Sequence, residues 1–479
     1  MDTDRLKVFF LAAEADPFVK IGGLGDVAGS LPYALIRAGA DTRLALPLHG
    51  SIQQQNLPLQ QIARYDIDHQ GGKIEAVVFM AEFNGLIVYF VSGDPIPTLA
   101  PVYSGNNTID GYKYTFFSIA ALQLLEHIDW SPDVFHANDW HTAPAVYALD
   151  LSQRNSDRSS FIASVLGIHN LPYLGNGAES ALQSFGLPPA TSSDLPLWAQ
   201  VLPLPLGMLS CDQIITVSPS YAQEIMTIEF GSGLDSFLRT RQTSISGVLN
   251  GLSVEQWDPA SDMALPSRYN VATIDHRQIN KRALLEELSL TQDLDIPLFA
   301  MISRLDPQKG VDLLPAALHA ISDHPWQLVI LGTGVPELEN EMRHLEAIFP
   351  GRVKAEIRFD LNLSRRIYGG ADILLIPSRY EPCGLTQMIA MLYGCVPVAR
   401  AVGGLKDTIS DEGMRKTQTG FLFEDASAMD LAAALRRSLT VFKRKKNWWS
   451  IQKNGMGEDF SWERSAKQYI SIYNQIIRV

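Results

Sequence analysis

Cysteine is scarce in this chain, with three among 479 residues, at Cys211, Cys383 and Cys395. An odd number without a C-x-x-C pair excludes a disulfide framework and a zinc ribbon, and it fits a reducing compartment such as the cytoplasm. Long apolar runs are missing as well. No stretch approaches the roughly 18 residues of a membrane helix. The opening MDTDRLKVFFLAAEADP has a short apolar run interrupted by Glu14 and no basic region before it, so it reads as a first strand and not as a signal peptide. Charge is sparse and one-sided, at 19% of residues with a formal net charge of −13. That balance argues against a general surface for nucleic acid or an anionic membrane, while a local basic pocket stays allowed. Metal signatures are lacking too. There is no D-x-D pair at a suitable strand end, and His136 with His141 is not the H-E-x-x-H spacing, so no metal is expected. No short tandem repeat or low-complexity segment is present.

What the chain does have is apolar substance: 46% of its residues are hydrophobic, enough for large cores, and its length favours two or three domains. Leu6 to Ala13 is a continuous apolar run of the kind that fills the centre of a parallel sheet. A glycine stretch, Gly22-Gly23-Leu24-Gly25, and a helix towards Ala38 follow it. The spacing G-G-x-G does not meet the G-x-G-x-x-G dinucleotide fingerprint. Further strands are expected at Arg43 to Leu46, Ile74 to Met80, Leu86 to Val91, Val134 to Ala137, Phe161 to Ile168 and Gln213 to Val217. Alternation with helical patterns implies a doubly wound α/β sheet. The turn-rich NGLSVEQWDPASD, Asn250 to Asp262, marks a boundary. Beyond it the plan repeats, with strands expected at Leu298 to Ile302, Gln327 to Leu331, Val353 to Phe359, Ile373 to Pro377 and Val396 to Ala399. Two doubly wound, Rossmann-like domains facing a cleft are therefore expected, over 1–250 and 251–455. A last helix, with Trp462, Tyr469, Ile472 and Ile476 apolar, falls within 456–479.

The densest chemistry lies between Ser378 and Ile409. Glu381 is the only carboxylate in a turn that Pro382 bends and that carries Cys383 and Gly384. A helix opening at Leu385 and Thr386 would aim free N–H groups above the strand end, a geometry that suits phosphate. Arg304 and Lys309 follow directly on another buried strand. Fixed cations there would meet the charge that grows on a nucleotide diphosphate as it leaves, though a pair of surface ion-pair partners has the same spacing. Lys20 with Gly22 and Gly23 could approach the same phosphates, or could be an ordinary glycine turn beside a surface lysine. Cys383 has no neighbouring histidine in sequence, which disfavours a thiolate nucleophile.

E-P-C-G-L-T-Q, then Y-G-x-x-P-V and G-G-L-x-D-T, resembles the bacterial glycogen synthases and plant starch synthases. The blocks KIGGLGDV, NDWH, GIHNLPY, VSPSYAQEI, GLDSFLRTR and SRLDPQKG continue the resemblance in order over nearly the whole chain. It implies a glycosyltransferase of the B type that moves glucose, with retention, from ADP-glucose as co-substrate to the non-reducing end of an α-1,4-glucan such as glycogen, with no cofactor. It implies catalytic roles for Glu381, Arg304, Lys309 and Asp139. It also implies substrate contacts at Lys20, Gly22, Gly23, His169, Asn250, Cys383, Gly384, Leu385 and Thr386, an aromatic against the nucleobase at Phe359, and a last helix that returns to the first domain. Whether Glu381 is nucleophile, base or hydroxyl anchor stays open. Three positions depart from the family pattern: Leu174 in place of glutamine, Pro205 in place of lysine and Ser253 in place of aspartate. A related transferase with another donor or acceptor, or a glucan-binding homologue with lapsed catalysis, are the alternatives.

Overall fold

The computed structural model describes residues 5–97, 101–154, 161–411 and 417–477. The chain divides into two compact units: Met1–Gly251 with Trp462–Val479, and Leu252–Ser461.

The first unit is built on nine strands: β1 (Lys7–Leu11), β2 (Asp41–Pro47), β3 (Gln60–His69), β4 (Gly72–Phe83), β5 (Leu86–Ser92), β6 (Val134–Asn138), β7 (Ala163–Ile168), β8 (Gln213–Thr216) and β9 (Ile245–Gly247). Their order is β3-β4-β5-β2-β1-β6-β7-β8-β9. β1 and β6 lie in the middle and are almost wholly buried, as parallel strands with both faces covered must be. The strand order turns back between them, and that is where an open α/β sheet binds ligands. The expected winding holds for the parallel strands, but β3 and β4 add an antiparallel edge. β3 was not anticipated, because Gln60–His69 is mostly polar and buries only Tyr65 and Ile67.

The helix Gly23–Arg37 packs Val27, Leu31 and Leu35 into this unit's core. The helix Trp462–Ile476 covers the same core with Trp462, Ala466, Tyr469 and Tyr473, and Glu463 pairs with Arg37 at 2.7 Å. Ile472 and Ile476, expected to face the core, reach only its rim, while Tyr473 is fully buried. Val479, the end of the expected tail, lies outside the described residues. The expected break at 455/456 falls at the end of the helix Lys445–Met456, whereas the division lies at Ser461. The physical reason is local pairing: Leu252 N donates to Phe460 O at 2.7 Å and Leu252 bridges Ser461, so this segment stays with the second unit.

The second unit carries six parallel strands: β10 (Leu298–Ile302), β11 (Gln327–Leu331), β12 (Val353–Glu356), β13 (Ile373–Ile376), β14 (Val396–Arg400) and β15 (Phe421–Phe423). The order β12-β11-β10-β13-β14-β15 reverses between β10 and β13. β12 stops short of Phe359, which lies in the loop before the helix Leu361–Gly370. No described helix is long and apolar enough to cross a membrane.

Candidate active site

In the second unit the loops after β10 and β13, the two strands at the reversal, are fastened together. Asp306 caps the short turn Pro307–Lys309 by accepting from Lys309 N at 3.2 Å. Gln308 Nε2 donates to Tyr380 O at 2.9 Å, and Arg379 N donates to Gln308 O at 2.8 Å. This lacing brings Lys309 Nζ within 2.6 Å of Glu381 Oε2, which also accepts from Ser378 Oγ at 2.8 Å. Glu381 is only 8% exposed. Arg304, by contrast, leaves most of its side chain in solvent and pairs with Asp306 at 3.3 Å. The G-G-L block closes the clasp from behind. Gly403 sits at φ 47°, and a Cβ there would run into the Glu381 carbonyl. Gly404 N donates to Glu381 O and Pro382 O, both at 3.2 Å.

Beyond this turn, Cys383 is buried, and Gly384 leads into Leu385, the N-cap of the helix Thr386–Leu392. Gln387 Nε2 ties the turn to that helix through Cys383 O and Gly384 O. Phe359 is 86% exposed, so this apolar residue is not a core residue.

In the first unit the loops after β1 and β6 form a second cluster. The helix Asp139–Arg154 begins with no residue between it and β6, and the elbow puts Asp139 at φ 53°, a left-handed position that aspartate tolerates better than most. From there Asp139 Oδ1 accepts from His169 N at 2.8 Å. Burial pushes the Asp139 carboxyl up, opposed by His169 and by the N–H groups of His169 and Asn170. His169 Nε2 lies 2.9 Å from Asn138 Oδ1.

The Lys20–Gly23 loop differs from the open cradle expected. Glu14, 1% exposed, accepts from Ile21 N, from Gly22 N at 3.1 Å and from Tyr103 OH at 3.2 Å. The Gly22 N–H is therefore already committed to a carboxylate. Gly23, at the start of its helix, has open space around it, and Lys20 Nζ pairs with Asp26 at 2.5 Å. Asn250 is buried, and its Oδ1 has no hydrogen-bond partner among the described residues. Glu14, Tyr103 and Asn138 were missed from sequence. Glu14 did carry a signal, because a carboxylate closing a buried parallel strand needs partners.

The departures are accommodated without strain. Leu174 is buried and accepts from Leu204 N, Pro205 lies inside the helix Pro203–Ser210, and Ser253 O closes a turn to Gln256 N and Trp257 N.

Burial holds His49, His136 and His141 uncharged, and it lowers His169 of the same unit as well. His49 is lowered from 6.5 to about 4, and His136 and His141 to about 3. In the unfolded chain they protonate near pH 6.5, so between about pH 3 and 6.5 the unfolded state binds more protons. Stability then rises with pH in that window and is lost as pH falls below 6.5, by up to about 1.4 kcal/mol per histidine per pH unit. Denaturant unfolding of the first unit is expected to shift to lower midpoints from pH 6.5 to 4.5. A midpoint unchanged over that range would contradict the buried neutral set.

Two doubly wound α/β units, each with one reversal of strand order, are the fold of the glycosyltransferases of the B type. Family models match along both units, the starch synthase catalytic domain over residues 7–240 and glycosyl transferases group 1 over residues 296–440. The chain belongs to the glycogen synthase family. It is 38% identical over 483 residues to a glycogen synthase of Thermotoga maritima, covering 98% of this chain and 99% of that one. Identity to a glycogen synthase of Lactobacillus acidophilus is 37% over 485 residues, covering 98% and 100%. Among solved structures, the catalytic domain of starch synthase IV from Arabidopsis thaliana, bound to ADP and acarbose, superposes with a TM-score of 0.87 at 32% identity, covering 99% and 100%. Among the described residues, no group of three His, Cys, Asp or Glu side chains is placed to hold a metal ion.

Proposed function

We propose that this chain elongates an α-1,4-glucan in the cytoplasm, taking glucose from ADP-glucose and adding it to the non-reducing end with retention of configuration. The observation that carries the reading is the contact of Lys309 with Glu381 at the strand reversal, supported by the ADP-bound relative of the same fold. Departure of ADP places new negative charge on its terminal phosphate. Lys309 and Arg304 supply fixed positive charge to stabilise it, Lys309 as a point charge and Arg304 as a fork. Glu381 stands against the donor sugar. The backbone at Gly384, Leu385 and Thr386 holds phosphate beside it, Cys383 lines the turn, and Phe359 offers its exposed ring to the nucleobase. In the first unit, Lys20 with Gly23 is the anion-facing group, Asp139 and His169 meet sugar hydroxyls, and Asn250 Oδ1, without a partner among the described residues, accepts from a further one.

The test is incorporation of labelled glucose into glycogen from ADP-glucose and from UDP-glucose, with and without EDTA. ADP-glucose is expected to lead in kcat/KM by about tenfold or more, and EDTA to leave the rate unchanged because Arg304 and Lys309 supply the charge a metal would bring. Glycogen that binds without any release of nucleotide would overturn transfer in favour of a binding protein. A rate that collapses in EDTA and returns with magnesium would overturn the metal-free mechanism.

A further inference from the structure

β6 and β7 run side by side with Asn138 opposite Gly167, so the N-D-W-H and G-I-H-N blocks meet across one strand pair. Asn138 is 1% exposed, and its Nδ2 donates to Leu11 O at 2.8 Å. A backbone carbonyl can only accept, which fixes the amide orientation and turns Oδ1 towards His169 Nε2, 2.9 Å away. Thr142 Oγ1 bonds both Asn138 N and Asn138 O, so the backbone is held as firmly as the side chain. Gly167 keeps the space: a Cβ there would stand 2.8 Å from Asn138 Oδ1. Because an amide oxygen cannot donate, the proton between the two groups belongs to His169 Nε2. In the neutral ring Nδ1 is then a bare lone pair. It has no partner among the described residues, on a side chain that is only partly buried.

We propose that Asn138 is a positioning residue that fixes His169 as its Nε2–H tautomer, so that Nδ1 meets the bound sugar only as a hydrogen-bond acceptor from a hydroxyl. This rests on the reading that His169 contacts the sugar. The ring must also be neutral, and the groups that face it pull in opposite directions. Asp139, on the helix after β6, and Glu14, after β1, favour the imidazolium; burial of His169 opposes them and prevails. His136 on β6 and His141 on the helix stand near it uncharged. A neutral acceptor also suits the chemistry, since glycosyl transfer builds positive charge on the sugar ring, which an imidazolium would repel.

Nitrogen NMR of the full-length protein labelled with ¹⁵N-histidine, without substrate and with the His169 signal assigned by its loss in His169→Gln, reads the tautomer directly. At pH 7 the expected signal is a protonated Nε2 with a bare Nδ1. A protonated Nδ1, or an imidazolium, would overturn the proposal without any other variant. Asn138→Asp places a carboxylate against Nε2 and stabilises the imidazolium. The acid limb of kcat/KM for ADP-glucose should move up by about one pH unit or more, and activity should return towards wild type as pH is raised past the new limb. A loss that is equal at every pH would mark Asn138 as merely structural. If the wild type transfers no glucose, the proposed reaction fails, and the tautomer signal alone decides for or against Asn138.

Discussion

Glu381→Ala should lose at least about a hundredfold in turnover while holding ADP no more weakly than the wild type. The two halves of this expectation come from one contact. With the carboxylate in place, Lys309 Nζ is engaged at 2.6 Å by Glu381 Oε2, so part of its charge is already neutralised before any ligand arrives. Removing the carboxylate deprives the donor sugar of its only adjacent anion in that turn, but frees Lys309 for phosphate. The fold should survive. Lys309 and Ser378 each lose a partner, at a cost of about 1–3 kcal/mol, yet the turn keeps its backbone bonds from Gly404 to Glu381 O and Pro382 O. Steady-state rates and calorimetric titration with ADP check it. Near-normal turnover would remove Glu381 from the chemistry, and a parallel loss of ADP affinity would mean that its role is to shape the turn.

The largest expected loss of stability belongs to a residue in no motif. Arg277 is buried, and its guanidinium donates to Tyr269 OH at 2.9 Å, to Tyr368 O at 3.1 Å, and to the carbonyls of Tyr393 and Ala371. Ala371 and Tyr393 are the C-caps of the helices Leu361–Gly370 and Thr386–Leu392. One cation therefore satisfies the ends of two helices, where exposed carbonyls and the helix dipole both favour positive charge. Arg277→Met would leave these acceptors unpaired in the interior and should cost about 3–5 kcal/mol. Hydrogen exchange on peptides from residues 361–394, with denaturant unfolding, reads the effect. A loss below about 1 kcal/mol would mean that water replaces the guanidinium at little cost.

What the sequence disclosed follows from what was periodic or apolar in it. Leu298–Ile302 and Gln327–Leu331 were read to the residue because a continuous apolar run between turn-formers admits little else. β3 escaped because one of its faces is wet, and β9 and β15 because three residues carry no period. The order of strands, and so the reversal between β10 and β13, is a non-local property that no window of sequence contains.

At the site, Glu381 and Lys309 were legible as residues, but their contact was not, since it spans 72 positions and depends on Gln308 and Arg379 lacing two loops. Phe359 is expected both to end a strand and to meet the nucleobase; the strand stops at Glu356, and the ring is left exposed. Glu14 shows the converse failure. In the sequence it is only an interruption of an apolar run, and its partners Ile21, Gly22 and Tyr103 are set by the way the loops fold back above β1.

The helix Trp462–Ile476 has a consequence for how the chain comes into being. It completes the core of the first unit, packing on Gly23–Arg37, yet every residue of the second unit precedes it in order of synthesis. At about 5–20 residues per second, making residues 252–477 takes roughly 10–45 s, during which the first unit has emerged without its cover. The second unit is contiguous and needs nothing made after it. Nascent chains therefore pass through an interval in which the part of the core that Trp462, Ala466, Tyr469 and Tyr473 cover in the finished fold is open to solvent, and apolar surface left open in this way favours aggregation.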